Sequence, residues 1–140
     1  MSTPPLVTDF YQRIWNAGDA TALPELLDAN FAFRSCLGEE TLGCTAFWEY
    51  VRGVRVALYQ YHCDILDCVS EGPRAFARVR FSGTHVGDLR GYQPTGLPLS
   101  WESAALFRFE YVRIKELWVL DDLVQLDELL KSNTAVEIPI

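Results

Sequence analysis

The stretch "RAFARVRFSGTHVG", residues 74–87, decides the class of fold. Its period is two. Ala75, Ala77, Val79, Phe81, Gly83 and His85 fall on one side of an extended chain, and Arg74, Arg78, Arg80, Ser82 and Thr84 fall on the other, with Phe76 the exception. The arginine side must meet solvent, so the buried side is the apolar one that carries His85. "SWESAALFRFEYV" (100–112) repeats the pattern, with Trp101, Ser103, Ala105, Phe107, Phe109 and Tyr111 opposing Glu102, Arg108 and Glu110. "HCDILDCV" (62–69) and "RIKELWVLDD" (113–122) read as further strands, and turn signals stand at Glu71-Gly72-Pro73 and at Gly91–Pro98.

Before residue 61 the period is helical. In "PPLVTDFYQRIWNAGD" (4–19), Leu6, Phe10 and Ile14, with Val7 and Tyr11, share one side, Pro4 and Pro5 suit a start, and Gly18 suits an end. Asp19 or Thr21 can cap a short helix through "ATALPELLD" (20–28), and "NFAFRS" (30–35) reads as a brief strand. "CTAFWEYVRGVRVALYQY" (44–61) predicts a third helix with Phe47, Val51, Val54 and Leu58 as its buried stripe and Gly53 as a weak point. "LVQLDELLKS" (123–132) predicts a closing turn or two of helix, and "NTAVEIPI" (133–140) is a tail without an assigned structure. Helices first and long strands afterwards predict an α+β fold: a cone-shaped, curved antiparallel sheet with N-terminal helices packed on one face, enclosing an apolar pocket. Small residues on the apolar face (Ala75, Ala77, Ser103, Ala105) predict volume there rather than a packed slab.

The 140 residues carry no internal repeat, low-complexity tract or linker, so one domain over residues 1–140 is expected. A hydrophobic fraction of 49% with eight Phe, six Tyr and four Trp suits either a dense core or an apolar cavity. The formal charge of −7, with scattered Lys and Arg, argues against nucleic acid as a partner. No apolar run approaches a membrane span and "MSTPPLVTDF" lacks a charged n-region, so a soluble, cytoplasmic protein is expected. The cysteines at 36, 44, 63 and 68 form no CxxC and only two histidines exist, so no metal site is expected. Cys36 and Cys44 lack an evident partner histidine for a nucleophilic role.

The last strand ends in two adjacent acids, and successive side chains point to opposite faces. Ile114, Glu116, Trp118, Leu120 and Asp122 form one set, and Lys115, Leu117, Val119 and Asp121 the other. If the pleat holds, Asp122 is the acid beside the aromatic interior, and one bulge reverses that assignment. A carboxyl placed there has its charged form disfavoured by desolvation, which suits it to general acid–base chemistry, and His85 is a candidate partner. Asp122 also reads as the N-cap of the helix that follows, and His85 as a hydrogen-bonded core residue.

The segment from Gly83 to Asp122 resembles the SnoaL-like polyketide cyclases of the nuclear transport factor two and ketosteroid isomerase superfamily. It carries G-x-H-x-G (Gly83, His85, Gly87), Pro94-Thr95-Gly96, and E-x-W-x-x-x-D (Glu116, Trp118, Asp122). "YQRIWNAGD" is similar to the family's first helix, and the likeness covers about residues 6–130. The chain departs from the pattern after Asp122, where "DELLK" stands for the usual Q-L-G, and before the second strand, where a P-D is replaced by "YQYHCD". The resemblance implies an intramolecular aldol-type reaction without metal or organic cofactor, with Asp122 as general acid/base and His85 as its polar partner. The substrate-contacting candidates are then Trp118, Phe81, Trp101, Phe107, Tyr11 and Trp15. Glu116 reads as structural, neutralised by Lys115, Arg113 or a partner subunit.

Three functions compete. The first is a cofactor-free cyclase or isomerase acting on a carbonyl-containing apolar small molecule. The second is a hydrolase or hydroxylase of an apolar ligand. The third is a non-catalytic binding or interaction module on the same fold. A homodimer is expected, because Leu117 and Val119 oppose the assigned pocket face and need cover.

Overall fold

Strands with one apolar and one charged side need a second layer over the apolar side, and the N-terminal helices supply it. The computed structural model describes residues 3–35 and 41–135. Cys36 and the tail from residue 136 lie outside them. Helix α1 (Pro5–Asp9) runs directly into a π-helical stretch, Phe10–Asn16, and together they bury Val7, Phe10, Tyr11, Ile14 and Trp15. Helix α2 (Ala22–Leu26) leads straight into β1 (Leu27–Ser35), so this strand starts earlier than the expected residue 30.

Helix α3 (Cys44–Ala57) buries Phe47, Val51, Val54 and Ala57. It stops before Leu58, which was expected on the helix but is the first residue of β2 (Leu58–Glu71). The cause is the neighbouring strand β3 (Arg74–His85) and the residues just after it. Val86 N–H and Gly87 N–H both donate to Ala57 O, at 2.9 and 3.1 Å, which satisfies the helix end. Gly83 and Gly87 permit this corner: a Cβ at Gly83 would lie 2.8 Å from Leu58 Cβ, and one at Gly87 would lie 3.1 Å from Ala57 Cα. Both glycines of the G-x-H-x-G segment are thus explained by packing of the α3–β2 turn.

Strands β4 (Pro98–Glu110) and β5 (Arg113–Asp121) complete a curved, unclosed five-stranded sheet in the order β1-β5-β4-β3-β2. It is antiparallel except at one edge, where β1 runs parallel to β5. The long strands β2–β5 are antiparallel as expected; β1 is entered from α2 rather than through a hairpin, so nothing forces it to reverse direction. Alternation along β3 and most of β4 is as read from the sequence, with Ala75, Ala77, Val79, Phe81 and His85 buried, and Trp101, Ser103, Ala105 and Phe107 buried beside them. Helix α4 (Leu123–Thr134), longer than expected, buries Leu126 and Leu130 and sends Asn133 Nδ2 to Pro98 O at 3.3 Å.

The first helix is tied down by polar contacts that account for its Asn and Gly. Asn16 exchanges two hydrogen bonds with the Cys63 backbone, at 2.7 and 3.0 Å, which fixes the helix on β2. The Arg55 guanidinium of α3 donates to the carbonyls of Trp15 and Asn16, satisfying the helix end. Gly18 has φ +63°, a conformation that favours glycine, and a Cβ there would lie 2.7 Å from Arg55 Nε and displace the guanidinium.

Candidate functional site

One irregularity in β5 determines which acid faces the helices. Phe109 pairs with Ile114 and Arg108 with Glu116, so Lys115 is an extra residue on β5. Ile114 faces the core before the bulge; Leu117, Val119 and Asp121 face it afterwards. Lys115 turns aside to pair with Asp28 at 3.2 Å. The expected inward orientation of Asp122 is therefore corrected: Asp121 is the inward acid. Asp122 is exposed and caps α4, its Oδ1 accepting from Gln125 N–H at 3.0 Å.

The same shift moves the rest of the strand. Trp118, expected as a substrate wall, lies on the outer face, 43% exposed, where it lines an open cleft of about 440 Å³ with Arg34, Leu106, Arg108 and Glu116. Glu116 faces outward too, and Arg108 at 2.9 Å holds its carboxyl below the usual carboxylate range. Leu117 and Val119, expected to need cover from a second subunit, instead line the interior.

Asp121 sits at the edge of an interior cavity lined by Phe10, Tyr11, Trp15, Phe47, Phe81 and Ser103, among others. Burial pushes its pKa above the ordinary carboxylate value, while Ser103, Trp101 and the Arg90 charge pull it back in part. Ser103 is its direct cross-strand partner on β4. The Ser103 hydroxyl is buried and meets no partner at full hydrogen-bond geometry, so its hold on the carboxyl is loose. Burial also holds the Tyr11 phenol well above its usual range, with the Cys63 and Asp121 charges acting in the same direction.

Of the predicted contact residues, Tyr11, Trp15 and Phe81 line this cavity; Phe107 packs edge-on against Tyr11 at 6.0 Å, and Trp101 lies 5.4 Å from Phe81. His85 is not brought to Asp121. Asp121 pairs with Ser103 and Ser103 with Val79, and His85 lies six positions further along β3. At about 3.3 Å per residue that is roughly 20 Å along the strand. His85 is fully buried, and neither ring nitrogen has a hydrogen-bond partner among the described residues.

The expected hollow is largely filled. Its volume is about 20 Å³, near the minimum of roughly 10–15 Å³ that holds one water and far below the roughly 300–1,000 Å³ of a ligand pocket. The space left by Ala75, Ala77, Ser103 and Ala105 is taken by rings from the helical layer. Phe10 stacks on Phe47 at 5.8 Å and meets Phe107 at 5.3 Å; Trp15 meets Phe81 at 5.3 Å and Tyr50 at 5.9 Å. Sequence reading missed Phe10, Phe33, Phe47, Tyr50, Ser103 and Asp121 as site residues. A usable signal for Asp121 was the odd spacing of Ile114 and Leu117, which a regular pleat cannot bury on one face.

Among the described residues, no cluster of His, Cys, Asp and Glu is arranged to hold a metal ion, and no helix is long and apolar enough to cross a membrane. Burial and the Asp28 charge raise the Cys44 thiol pKa, which disfavours its thiolate.

No curated protein sequence matches this chain. Solved structures match it in fold. IdmH from Streptomyces antibioticus, a candidate polyketide cyclase, aligns with TM-score 0.79 at 20% identity over 94% of this chain and 96% of its own. AclR from Streptomyces galilaeus, a candidate hydroxylase, aligns with TM-score 0.79 at 20% identity over 91% of this chain and 93% of its own. A Catenulispora acidiphila protein of ketosteroid isomerase-like fold, solved with trimethylamine, aligns with TM-score 0.72 at 17% identity over 89% of this chain and 91% of its own. The sequence model of one family matches residues 5–128, and the chain belongs to that family, the SnoaL-like polyketide cyclases.

Proposed function

We propose that the protein is an acid–base enzyme of the cyclase or isomerase type, working without a cofactor on a carbonyl-containing apolar small molecule, with Asp121 as the acid/base. The Asp121 carboxylate takes a proton alpha to a carbonyl. The resulting enolate carbon attacks a second carbonyl of the same molecule, and the alkoxide formed recovers the proton from Asp121. In an isomerisation the proton returns to a different carbon instead. The observation that carries this reading is the inward carboxyl of Asp121, among rings, with its charged form disfavoured by burial. The family supports it. Because the cavity holds about one water, substrate entry requires the lining rings to move, and the closed form is the resting one.

Alpha-proton exchange tests this without knowledge of the natural substrate. 2-Tetralone in deuterated buffer is expected to exchange its alpha protons faster with the protein than without it. Asp121→Asn is expected to abolish the enhancement and Asp122→Asn to preserve it. Enhancement that survives Asp121→Asn removes the assignment.

A second reading, a non-catalytic interaction module, is supported by the filled cone. In that case no variant alters exchange, because none is catalysed. Under either reading we place a second copy of the chain on the outer sheet face. Val69, Phe76, Leu106 and Trp118 form a cross-strand row of half-exposed apolar side chains there. Free thiols at Cys44, Cys63 and Cys68 support a reducing, cytoplasmic setting.

A further inference from the structure

Ser103 is anomalous on its own face of the sheet. Its small neighbours on that face, Ala75, Ala77 and Ala105, are all alanine and all buried. If the position required only small size, alanine would serve, and a buried hydroxyl without a full partner is destabilising. Ser103 Oγ is such a hydroxyl: the residue is 4% exposed, it lines the cavity, and it meets no partner at full geometry among the described residues. Its position is defined by the sheet rather than by a loop. Ser103 stands directly opposite Asp121 in the β4–β5 ladder, where facing Cβ atoms lie about 4.5–5.5 Å apart. A ligand atom in the cavity is therefore within reach of both side chains.

We propose that the Ser103 hydroxyl donates a hydrogen bond to the substrate oxygen that becomes negative when Asp121 takes the alpha proton. This rests on the acid–base reading of Asp121. It gives the site its second catalytic group and replaces His85, which lies too far along β3 to serve. Ser103 keeps its proton throughout. The carbonyl gains electron density as the C–H pair moves into the enolate, and the hydroxyl hydrogen bond strengthens as that charge develops. The hydroxyl, which reaches the Asp121 carboxyl only loosely in this structure, gains a full partner when a substrate oxygen occupies the cavity.

The test uses the full chain and 2-tetralone with a ¹³C-labelled carbonyl, read by infrared difference spectroscopy and by alpha-proton exchange. The bound carbonyl band is expected at lower frequency than in an apolar solvent, both in the wild type and in Asp121→Asn. In Ser103→Ala it is expected to return towards the apolar-solvent value. Exchange is expected to fall by about 10²-fold in Ser103→Ala, the usual loss for one such donor. Thermal unfolding of Ser103→Ala verifies the fold, which a further alanine on this face should leave intact. A band unmoved by Ser103→Ala overturns the proposal, even where Asp121→Asn abolishes exchange. Absence of any bound, shifted band in the wild type overturns it as well. A band that depends on Ser103 in a protein that catalyses no exchange supports the oxygen donor and removes the acid–base reading instead.

Discussion

Adjacent aspartates with opposite surroundings allow one paired substitution to test the register of β5. The structure gives Asp122 a single capping bond, Gln125 N–H to Oδ1 at 3.0 Å, at an exposed helix start. Asp122→Ala removes that bond and should cost about 1 kcal/mol, within the usual range of roughly 0.5–2. At about 2.1 cal/mol/K of unfolding entropy per residue, such a loss in a chain of this length lowers Tm by roughly 3 °C. Asp122→Asn should be nearly neutral, since asparagine caps about as well. Asp121 should behave in the opposite sense. Its folded-state pKa is raised by burial, so the native state binds more protons than the unfolded chain, and wild-type stability falls as pH rises from about 3.9 through the folded value. Asp121→Asn removes the partly buried charge and keeps an acceptor for Ser103 and Trp101. It should therefore stabilise the protein at neutral pH, by an amount that vanishes once pH drops below the unfolded-state value. Urea unfolding of all four proteins between pH 3.5 and about pH 8 measures this. A neutral Asp121→Asn at every pH, together with an Asp122→Asn that stabilises at neutral pH and loses that gain at low pH, would show that the two side chains are placed the other way round.

Other perturbations probe the remaining layers. Phe47 is fully buried and touches the rings of Phe10, Trp15, Phe31 and Phe33, so Phe47→Ala should cost about 3–5 kcal/mol in urea unfolding; a loss below about 1 kcal/mol would contradict a ring-filled cone. The enlarged cavity should then bind naphthalene more tightly than the wild type, measured by thermal shift. Trp118→Glu should leave circular dichroism unchanged and convert a dimer to a monomer in sedimentation velocity, and a dimer that persists would move the interface off the outer sheet face. Two glycines should respond in opposite directions: Gly18→Ala, with φ +63° and Arg55 Nε 2.7 Å from the new Cβ, should lose more than about 1 kcal/mol. Gly53→Ala, with nothing within 4 Å on its α3 face, should gain roughly 0.5–1 kcal/mol.

Much of this protein was legible from periodicity alone. The 3.6-residue pattern of Leu6, Phe10 and Ile14 and the two-residue pattern of Ala75, Ala77, Val79 and Phe81 record which side of each element must leave water. That requirement is local, so the first helix, the faces of β3 and β4, and the α+β class follow from it. The likeness over Gly83–Asp122 pointed to the family for the same reason, since its motif residues keep their order whatever their geometry. The identity of the inward acid was not local information. Both sets of residues in β5 have apolar members, and a one-residue bulge at Lys115, settled by pairing with β4, reverses the pleat beyond it. The separation of His85 from Asp121 depends on strand register, and the filling of the cone depends on which helical rings cross which small residues. Packing and register are relations between distant segments, so only the tertiary structure decides them.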